Sequence, residues 1–317
     1  MDTKNLSIFP ILDTVSWAYY KKAVSSFWTV EEIDLSKDLD DFKKLTKDER
    51  YFIENILSFF NSSDLIVNEN LGLRFLNEPN ITQEMKCFYG FQYAIENIHS
   101  ETYSLLIDTL VKDREHKKFL QNGIINNQFI KNKAEWCYKY IDSNIDFIYR
   151  LIAFCCVEGI FFSSSFCSIY WLKKRGLLPG LTFSNELIAR DESLHTEFGV
   201  NVFKQLGKHY KTSKLIIDII KEASELEKQF VDYCLEVNLI GMNSVLMKQY
   251  VEFMTDRLCV QLGLDKIYES ENPFDFMEMI ALQGKTSFFE KRNSDYSKAS
   301  IANSLEGSEG FNITDDF

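Results

Sequence analysis

The chain has 317 residues, of which 45% are hydrophobic, 15% aromatic and 26% charged, with only 13 Gly and 4 Pro. This composition excludes a disordered, a collagen-like and a disulfide-scaffold protein. A chain of this length buries roughly 75% of its unfolded surface on folding, so any metal would serve chemistry rather than hold the fold. The net charge of −12 argues against nucleic acid as a partner, because a phosphate-binding surface has to be basic.

Six segments with apolar residues at three- and four-residue spacing predict long helices. In chain order they are 64–76, 82–112, 146–174, 182–206, 214–239 and 243–262. All four prolines lie between these segments and strand signals are scarce, so we predict an all-α bundle over residues 1–290. Residues 291–317 are rich in Ser, Asn, Gly and acids and predict a flexible tail, because they cannot bury enough apolar area to become ordered.

Cysteine usage and the N-terminal sequence predict a cytoplasmic protein. The seven cysteines form no Cys-x-x-Cys pair and lie mostly among apolar residues, as reduced thiols in a protein core do. The first residues, MDTKNLSIFP, lack the basic and long apolar regions of a signal peptide.

The segment 151–172 is long and apolar enough to cross a bilayer. Against a membrane span, Glu158 lies near its middle, which costs roughly 2.5–3.5 kcal/mol on insertion scales, and the neighbouring helices are amphipathic. We therefore predict the central helix of a large bundle, apolar on all sides, and no membrane partner. An acid buried in such a helix is paired, protonated or bound to a metal, which makes Glu158 a candidate site residue.

Two of the four histidines follow a glutamate by three residues, as Glu96-x-x-His99 and Glu192-x-x-His195. Residues three apart share a helix face, so each pair presents a carboxylate and an imidazole to one point. Two such helices, with one carboxylate from each of two more, form the di-iron site of ferritin-like bundles. The additional carboxylates are expected from Glu158 and from Asp64, which opens the first predicted helix.

Each of these features also has an ordinary structural explanation when it is taken alone. A Glu-x-x-His pair usually belongs to a solvated helix face, Asp64 after two serines is typical of an N-cap, and a neighbouring Arg or Ser could satisfy Glu158. The order acid, Glu-x-x-His, acid, Glu-x-x-His on separate helices favours the joint metal site. Tyr103 lies four residues after His99 on the same face, although spacing alone favours a packed core tyrosine.

Four blocks of this sequence closely resemble the small, radical-carrying subunit of class I ribonucleotide reductase, of the eukaryotic and viral kind. The blocks are FYGFQYAIENIHSETYSLLIDTLVKD, VEGIFFSSSFCSIYWLKKRGLLPGLTFSNELIARDESLH, LIGMNSVLMKQYVEFMTDRL and ENPFDFMEMIALQGKTSFFEKR. The resemblance runs from about residue 9 to the C-terminus and implies a ferritin-like di-iron helical bundle. It further implies the small subunit of ribonucleoside-diphosphate reductase, which generates a tyrosyl radical for the large subunit to reduce ribonucleotides to deoxyribonucleotides.

Carried over position by position, the resemblance implies six metal ligands. Three would hold each of two iron ions per chain: Asp64, Glu96 and His99 the first, and Glu158, Glu192 and His195 the second. The resemblance implies an oxo-bridged iron pair that O2 activates. Hard carboxylates with few imidazoles and no thiolate favour iron or manganese over zinc, and of these two metals the resemblance implies iron, with manganese less expected.

The resemblance also implies which residues carry the radical. The matching positions are Tyr103 for the oxidised tyrosine, Trp28 and Asp191 for a relay that starts at His99, and Tyr296 for the tail tyrosine that passes the oxidising equivalent onward. Phe162 and Phe166 match the apolar residues that shield the radical. Ser164 departs from the family at a position that is often Gly, which puts the radical lifetime in doubt.

Two protein partners follow from the same resemblance. The tail sequence FNITDDF, residues 311–317, matches the acidic peptide that docks on the large subunit, and a homodimer would present two such tails. Two other functions stay open: a ferritin-type ferroxidase, which needs no tyrosine near the metal, and a non-catalytic homologue that scaffolds an active partner.

Overall fold

A computed structural model of the protein describes residues 7–142, 144–235, 239 and 241–277. The chain divides after Phe274 into two units, and of the second, 275–317, only residues 275–277 are described. The predicted tail with Tyr296 therefore lies outside the described residues, and the predicted boundary at 290 stays a prediction.

Helices make up nearly all the regular structure of the described residues, and the β contact among them is an isolated bridge between Leu239 and Met242. In chain order the helices are α1 (Thr14–Ser25), α2 (Asp38–Lys44), α3 (Lys47–Leu73), α4 (Gln83–Leu110), α5 (Arg114–Gln121), α6 (Gly123–Asn126), α7 (Gln128–Ile141), α8 (Phe147–Cys156), α9 (Ser163–Lys174), α10 (Pro179–Leu206), α11 (Lys214–Cys234) and α12 (Ser244–Leu262). A π-helical turn, Val157–Phe161, joins α8 to α9.

Side-chain caps explain where several of these helices begin. Thr82 accepts a hydrogen bond from Met85 N at the start of α4, and Asn243 accepts one from Leu246 N at the start of α12. Both residues open a predicted segment, so the sequence located these two starts within one residue. Such caps satisfy backbone N–H groups that have no partner inside the helix.

The predicted start of the first helix was wrong, because α3 begins at Lys47 rather than at Asp64. Asp64 is therefore a mid-helix residue and not an N-cap. The two serines before it lie inside the helix, where Ser62 Oγ and Ser63 Oγ donate to the carbonyl oxygens of Ser58 and Phe59, four residues back, instead of capping an N-terminus.

The apolar helix predicted over 146–174 forms the centre of the bundle. Residues Phe147–Lys174 are long and apolar enough to span a membrane, but 94% of their most apolar window is buried inside the protein. Helices α7, α10, α11 and α12 surround this segment. Such burial is expected of a core helix in a large bundle.

Candidate metal centre

Four helical elements bring the predicted metal ligands to one place in the core. The ligands are Asp64 on α3, Glu96 and His99 on α4, Glu158 on the π-turn, and Glu192 and His195 on α10. All six residues are at most 4% exposed. A solvated helix face, the ordinary explanation of a Glu-x-x-His pair, is therefore excluded for both pairs.

The carboxylates and imidazoles of this cluster are close enough to share metal ions. Ligand atoms of Glu96, Glu158, Glu192 and His195 all lie within 4.8 Å of one another. His195 Nδ1 lies 3.0 Å from Glu96 Oε1 and 3.1 Å from Glu192 Oε2. His99 Nδ1 lies 3.1 Å from Glu96 Oε2 and 3.0 Å from Glu192 Oε1. Glu96 and Glu192 thus each face both imidazoles, as carboxylates between two metal ions would.

Asp64 on α3 and Glu158 on the π-turn complete the donor set. Asp64 Oδ2 and Glu158 Oε2 are buried and make no hydrogen bond within the described part of the chain. Leaving such an acceptor unpaired costs about 1–3 kcal/mol or more, which a bound cation would offset. Carboxylate oxygens and imidazole nitrogens without a thiolate suit iron or manganese, so these residues fit a two-metal centre.

The crowding of acids changes the proton affinity of the whole cluster. Burial, and next the charge of Glu96, raise the pKa of Asp64 well above its usual value, and burial with Glu192 does the same for Glu158. Burial alone would lower the pKa of both histidines, but the adjacent glutamates raise it well above the usual value. The cluster therefore takes up positive charge, as protons or as metal ions.

Gln92 is a site residue that the sequence analysis missed. Its Nε2 donates to Glu158 Oε1 at 3.0 Å, and the residue is 1% exposed. Gln92 precedes Glu96 by four residues on α4 and so lies on the ligand-bearing face. That spacing is the signal that would have identified it.

Tyr103 lies fully buried in an aromatic pocket on α4, one turn beyond His99. Its ring stacks on Phe60 with centroids 4.4 Å apart and planes 3° apart. Phe60 in turn contacts Phe162 and Phe166 at centroid distances of 5.5 and 5.0 Å. The two predicted shielding residues thus belong to the same cluster, with Phe60, which the sequence analysis missed, between them and Tyr103.

The phenol of Tyr103 has one fixed hydrogen-bond partner. Tyr103 Oη donates to Asn185 Oδ1 at 2.8 Å, and Asn185 Nδ2 donates to Leu181 O at 2.9 Å, which orients the amide. Burial and the Asp64 carboxylate raise the pKa of Tyr103 well above its usual value, so the phenol keeps its proton. Asn185 was also missed, although it precedes Glu192 by two helical turns on α10.

Trp28, Asp191 and His99 form a continuous hydrogen-bonded chain. Trp28 Nε1 donates to Asp191 Oδ2 at 2.8 Å, and the same oxygen lies 3.3 Å from His99 Nε2. Arg190 donates to the other oxygen, Oδ1, from two nitrogens at 2.8 and 3.0 Å. Burial opposes ionisation of Asp191, but its bond with His99 and the charge of Arg190 hold its pKa below the usual value. Since Nε2 of His99 faces this carboxylate, Nδ1 is left for a metal.

A family model for the ribonucleotide reductase small chain matches residues 5–273. The chain belongs to the ribonucleotide reductase small-chain family. The ribonucleoside-diphosphate reductase small chain of vaccinia virus (strain Ankara) is 57% identical over 294 residues, which cover 93% of this chain and 92% of that protein. A ribonucleoside-diphosphate reductase small chain of Arabidopsis thaliana is 52% identical over 312 residues, which cover 98% of this chain and 91% of that protein.

Solved structures of the family have the same fold. The Rnr4 homodimer of Saccharomyces cerevisiae gives a TM-score of 0.79 at 38% identity, over 93% of this chain and 91% of that one. The dimanganese NrdF of Streptococcus sanguinis gives 0.77 at 19% identity, over 89% and 99%, and shows the shared fold alone. These likenesses confirm the predicted ferritin-like bundle and the assignment to the small subunit of the reductase. Together with the buried cluster, they indicate a metal centre.

Proposed function

We propose that this chain is the radical-storing small subunit of a ribonucleoside-diphosphate reductase, with Tyr103 as the residue that is oxidised. The substrate class comes from the names of its viral and plant relatives. The observation that carries the proposal is the position of Tyr103. It is a fully buried phenol on the helix that presents Glu96 and His99, and it is held by Asn185.

The metal in this proposal is iron, held by Asp64, Glu96 and His99 on one side and by Glu158, Glu192 and His195 on the other. Bound there, iron would supply, with O2 as the oxidant, the oxidising power needed to take one electron and one proton from Tyr103. The four carboxylates would balance positive charge on the two cations, and Gln92 donates a hydrogen bond to one oxygen of the Glu158 carboxylate. The donor set would also accept manganese.

The aromatic pocket would then protect the radical on Tyr103. Phe60 covers one face of the Tyr103 ring, and Phe162 and Phe166 lie behind Phe60. Because these side chains exclude water and reductants, a radical on Tyr103 would outlast one on an exposed tyrosine. Asn185 keeps the oxygen of the ring in one hydrogen-bonded orientation.

Transfer to the large subunit would begin along the chain His99, Asp191 and Trp28. Each link is a hydrogen bond between buried side chains, and the Trp28 and His99 rings are also nearly parallel, 21° apart, at a centroid distance of 5.9 Å. An aspartate bonded to a ligand histidine couples that ligand to groups beyond the metal. Tyr296, outside the described residues, is the proposed next carrier.

Partners and location complete the proposal. Like the yeast relative, which is named as a homodimer, this chain would form a homodimer. Phe311 and Phe317 would anchor the tail on the large subunit, with Asp315 and Asp316 steering it toward a basic groove.

The cysteines bear on the location of the protein. All seven cysteines are free, and burial raises the pKa of Cys137 to about 12. Such inert thiols support a reducing cytoplasm.

Reconstitution of the metal-free protein with Fe(II) and O2 tests this function. We expect about two irons per chain and a tyrosyl signal in electron paramagnetic resonance. A well-folded protein with iron near zero would contradict the proposal. Bound iron that oxidises further Fe(II) without any tyrosyl signal would indicate a ferritin-type ferroxidase. A radical that supports no nucleotide reduction with the large subunit would indicate a scaffolding homologue.

A further inference from the structure

A lysine and a glutamate that the proposed function does not use are buried together beside the π-turn. Lys133 on α7 and Glu227 on α11 are 2% and 0% exposed, and Lys133 Nζ lies 2.5 Å from Glu227 Oε2. Burial lowers the pKa of Lys133 and raises that of Glu227, and in each case the charge of the partner opposes the change. Apolar residues of similar volume are often as stable as a buried ion pair, so stability alone gives little reason for these charges.

The surroundings of Lys133 fix its ammonium group in one place. Nζ lies 3.5 Å from the centroid of the Phe59 ring, 4.1 Å from that of Phe230 and 5.0 Å from that of Phe161. Aromatic faces attract a desolvated cation. The ammonium is thus held by three rings and one carboxylate inside the protein.

Lys133 uses this position to bind the backbone of the π-turn. Its Nζ donates to the carbonyl oxygen of Phe161, the last residue of the turn, at 3.2 Å. The preceding carbonyl, of Ile160, accepts from Ser163 Oγ at 2.6 Å. A π-turn departs from the regular i to i+4 bonding of an α-helix, and here side chains bond the carbonyls at its end.

Glu227 extends the contact to the helix that follows. Its second oxygen, Oε1, accepts a hydrogen bond from Ser164 Oγ on the first turn of α9. Lys133 and Glu227 therefore hold the end of the π-turn from both α7 and α11. On another side the turn meets α10, where a Cβ on Gly159 would lie 3.3 Å from Thr196 Cγ2.

The π-turn positions one residue at the metal cluster and one at the pocket of Tyr103. Glu158, its second residue, faces the metal cluster, and Phe162, which follows its last residue, lies 5.5 Å from the Phe60 ring that covers Tyr103. A change in the winding of this turn would move both groups at once.

We infer that Lys133, Glu227 and Ser164 are positioning residues that lock the π-turn Val157–Phe161. The lock sets where the Glu158 carboxylate meets the metals and how closely Phe162 closes the pocket of Tyr103. The roles of Glu158 at the metals and of Phe162 at Tyr103 rest on the proposed function. That Lys133, Glu227 and Ser164 fix the π-turn rests only on the contacts described above.

Two double variants separate positioning from stability. Lys133→Met/Glu227→Leu removes both charges and the bonds to Phe161 and Ser164, without leaving an unpaired buried ion. Arg150→Met/Glu78→Leu is the matched control, because it removes another buried ion pair, with Arg150 Nη2 2.7 Å from Glu78 Oε2, that does not bond to the π-turn.

Amide hydrogen exchange of the metal-free full-length proteins measures the lock directly. We expect exchange across residues 157–164 to be about tenfold faster in the Lys133 variant and unchanged in the control. Fe(II) affinity should fall by about tenfold or more in the Lys133 variant, as for other residues that orient ligands, and the tyrosyl radical should decay faster. Wild-type exchange and Fe(II) affinity in this variant, or equal acceleration in both variants, would overturn the inference.

Two further comparisons keep the test decisive. Ser164→Ala removes only the hydroxyl bond and should raise exchange in the same segment by about threefold, which tests the lock even if the Lys133 variant does not fold. A wild-type protein that binds no iron would refute the proposed function, while the exchange comparison would still decide whether the lock exists.

Discussion

In Asp191 and Asn185, each polar side-chain atom has its own hydrogen-bond partners. Asp191 Oδ2 serves both Trp28 and His99, while Arg190 occupies Oδ1. Asn185 accepts from Tyr103 with its oxygen and donates to Leu181 with its nitrogen. In both residues a bond at one atom fixes the orientation of the other, so the site is preorganised by the chain itself.

Replacing Tyr103 by Phe should abolish the tyrosyl signal of the reconstituted protein while leaving the iron content at about two per chain. The phenol is the proposed oxidisable group, and a phenylalanine keeps the ring that stacks on Phe60. Electron paramagnetic resonance and metal analysis measure the two effects. Tyr170→Phe is the control, because Tyr170 is also buried and its hydroxyl reaches the Asn185 carbonyl at 3.5 Å. A persistent signal in Tyr103→Phe would place the radical on another residue.

Replacing Asp191 by Ala should leave most of the iron bound but lower nucleotide reduction with the large subunit by about 100-fold or more. The variant loses the atom that joins Trp28 to His99, whereas it removes no predicted ligand. Steady-state activity and metal content measure the two effects. Glu197→Ala, a change of a half-buried residue on the same helix that removes an ion pair with Lys22, should behave like the wild type. Full turnover of Asp191→Ala would show that transfer takes another path.

Among the helices, α10 depends on a cap supplied by a distant segment. Leu178, before the helix, has the left-handed φ of 53° and Pro179 is its first residue. The N–H groups of Gly180 and Leu181 donate to Asp38 Oδ1 and Oδ2, at 2.8 and 2.6 Å, from α2. Because α10 carries two predicted ligands, this contact ties the site to the N-terminal part of the chain.

Replacing Asp38 by Ala should lower the free energy of unfolding by about 1–3 kcal/mol, because two buried N–H groups lose their acceptors. Urea denaturation followed by circular dichroism measures the loss. Asp40→Ala on the same short helix is the control, since Asp40 is exposed and pairs with Lys43 at the surface. Equal stability of the two variants would mean that water replaces Asp38 at the cap.

For the whole molecule, the proposed activity needs two separate parts: a rigid helical body for the metal and the radical, and a tail for the large subunit. The body holds the predicted ligands on four elements that are distant in sequence. The tail, 291–317, lies outside the described residues, so its docking role rests on composition and on the resemblance. We therefore expect that a change in the tail affects activity with the large subunit without affecting the metal or the radical.

Deleting residues 311–317 should leave the iron content and the tyrosyl signal unchanged while reducing activity with the large subunit to background. The deleted segment contains both proposed anchors, Phe311 and Phe317, and no predicted ligand. A free peptide of the same residues should inhibit the wild type, and a peptide with both phenylalanines replaced by alanine should not. Full activity after the deletion would assign the interface to the helical body instead.

The sequence alone determined the features that depend on local spacing. The fold class followed from apolar periodicity, and both Glu-x-x-His pairs followed from the three-residue rule of a helix face. Glu158 followed from the cost of an acid in an apolar helix. These inferences need only the geometry of one helix at a time, which is fixed locally.

The tertiary structure decided everything that depends on contacts between helices. It placed Phe60 over Tyr103, turned Asn185 toward the phenol, and set Lys133 against Glu227 across 94 positions of sequence. It also corrected the start of α3 and introduced a π-turn where the sequence predicted one continuous helix. The apolar residues of that segment suit an α-helix and a π-turn alike, and one of the two side chains that bond its last carbonyls, Lys133, comes from a distant helix.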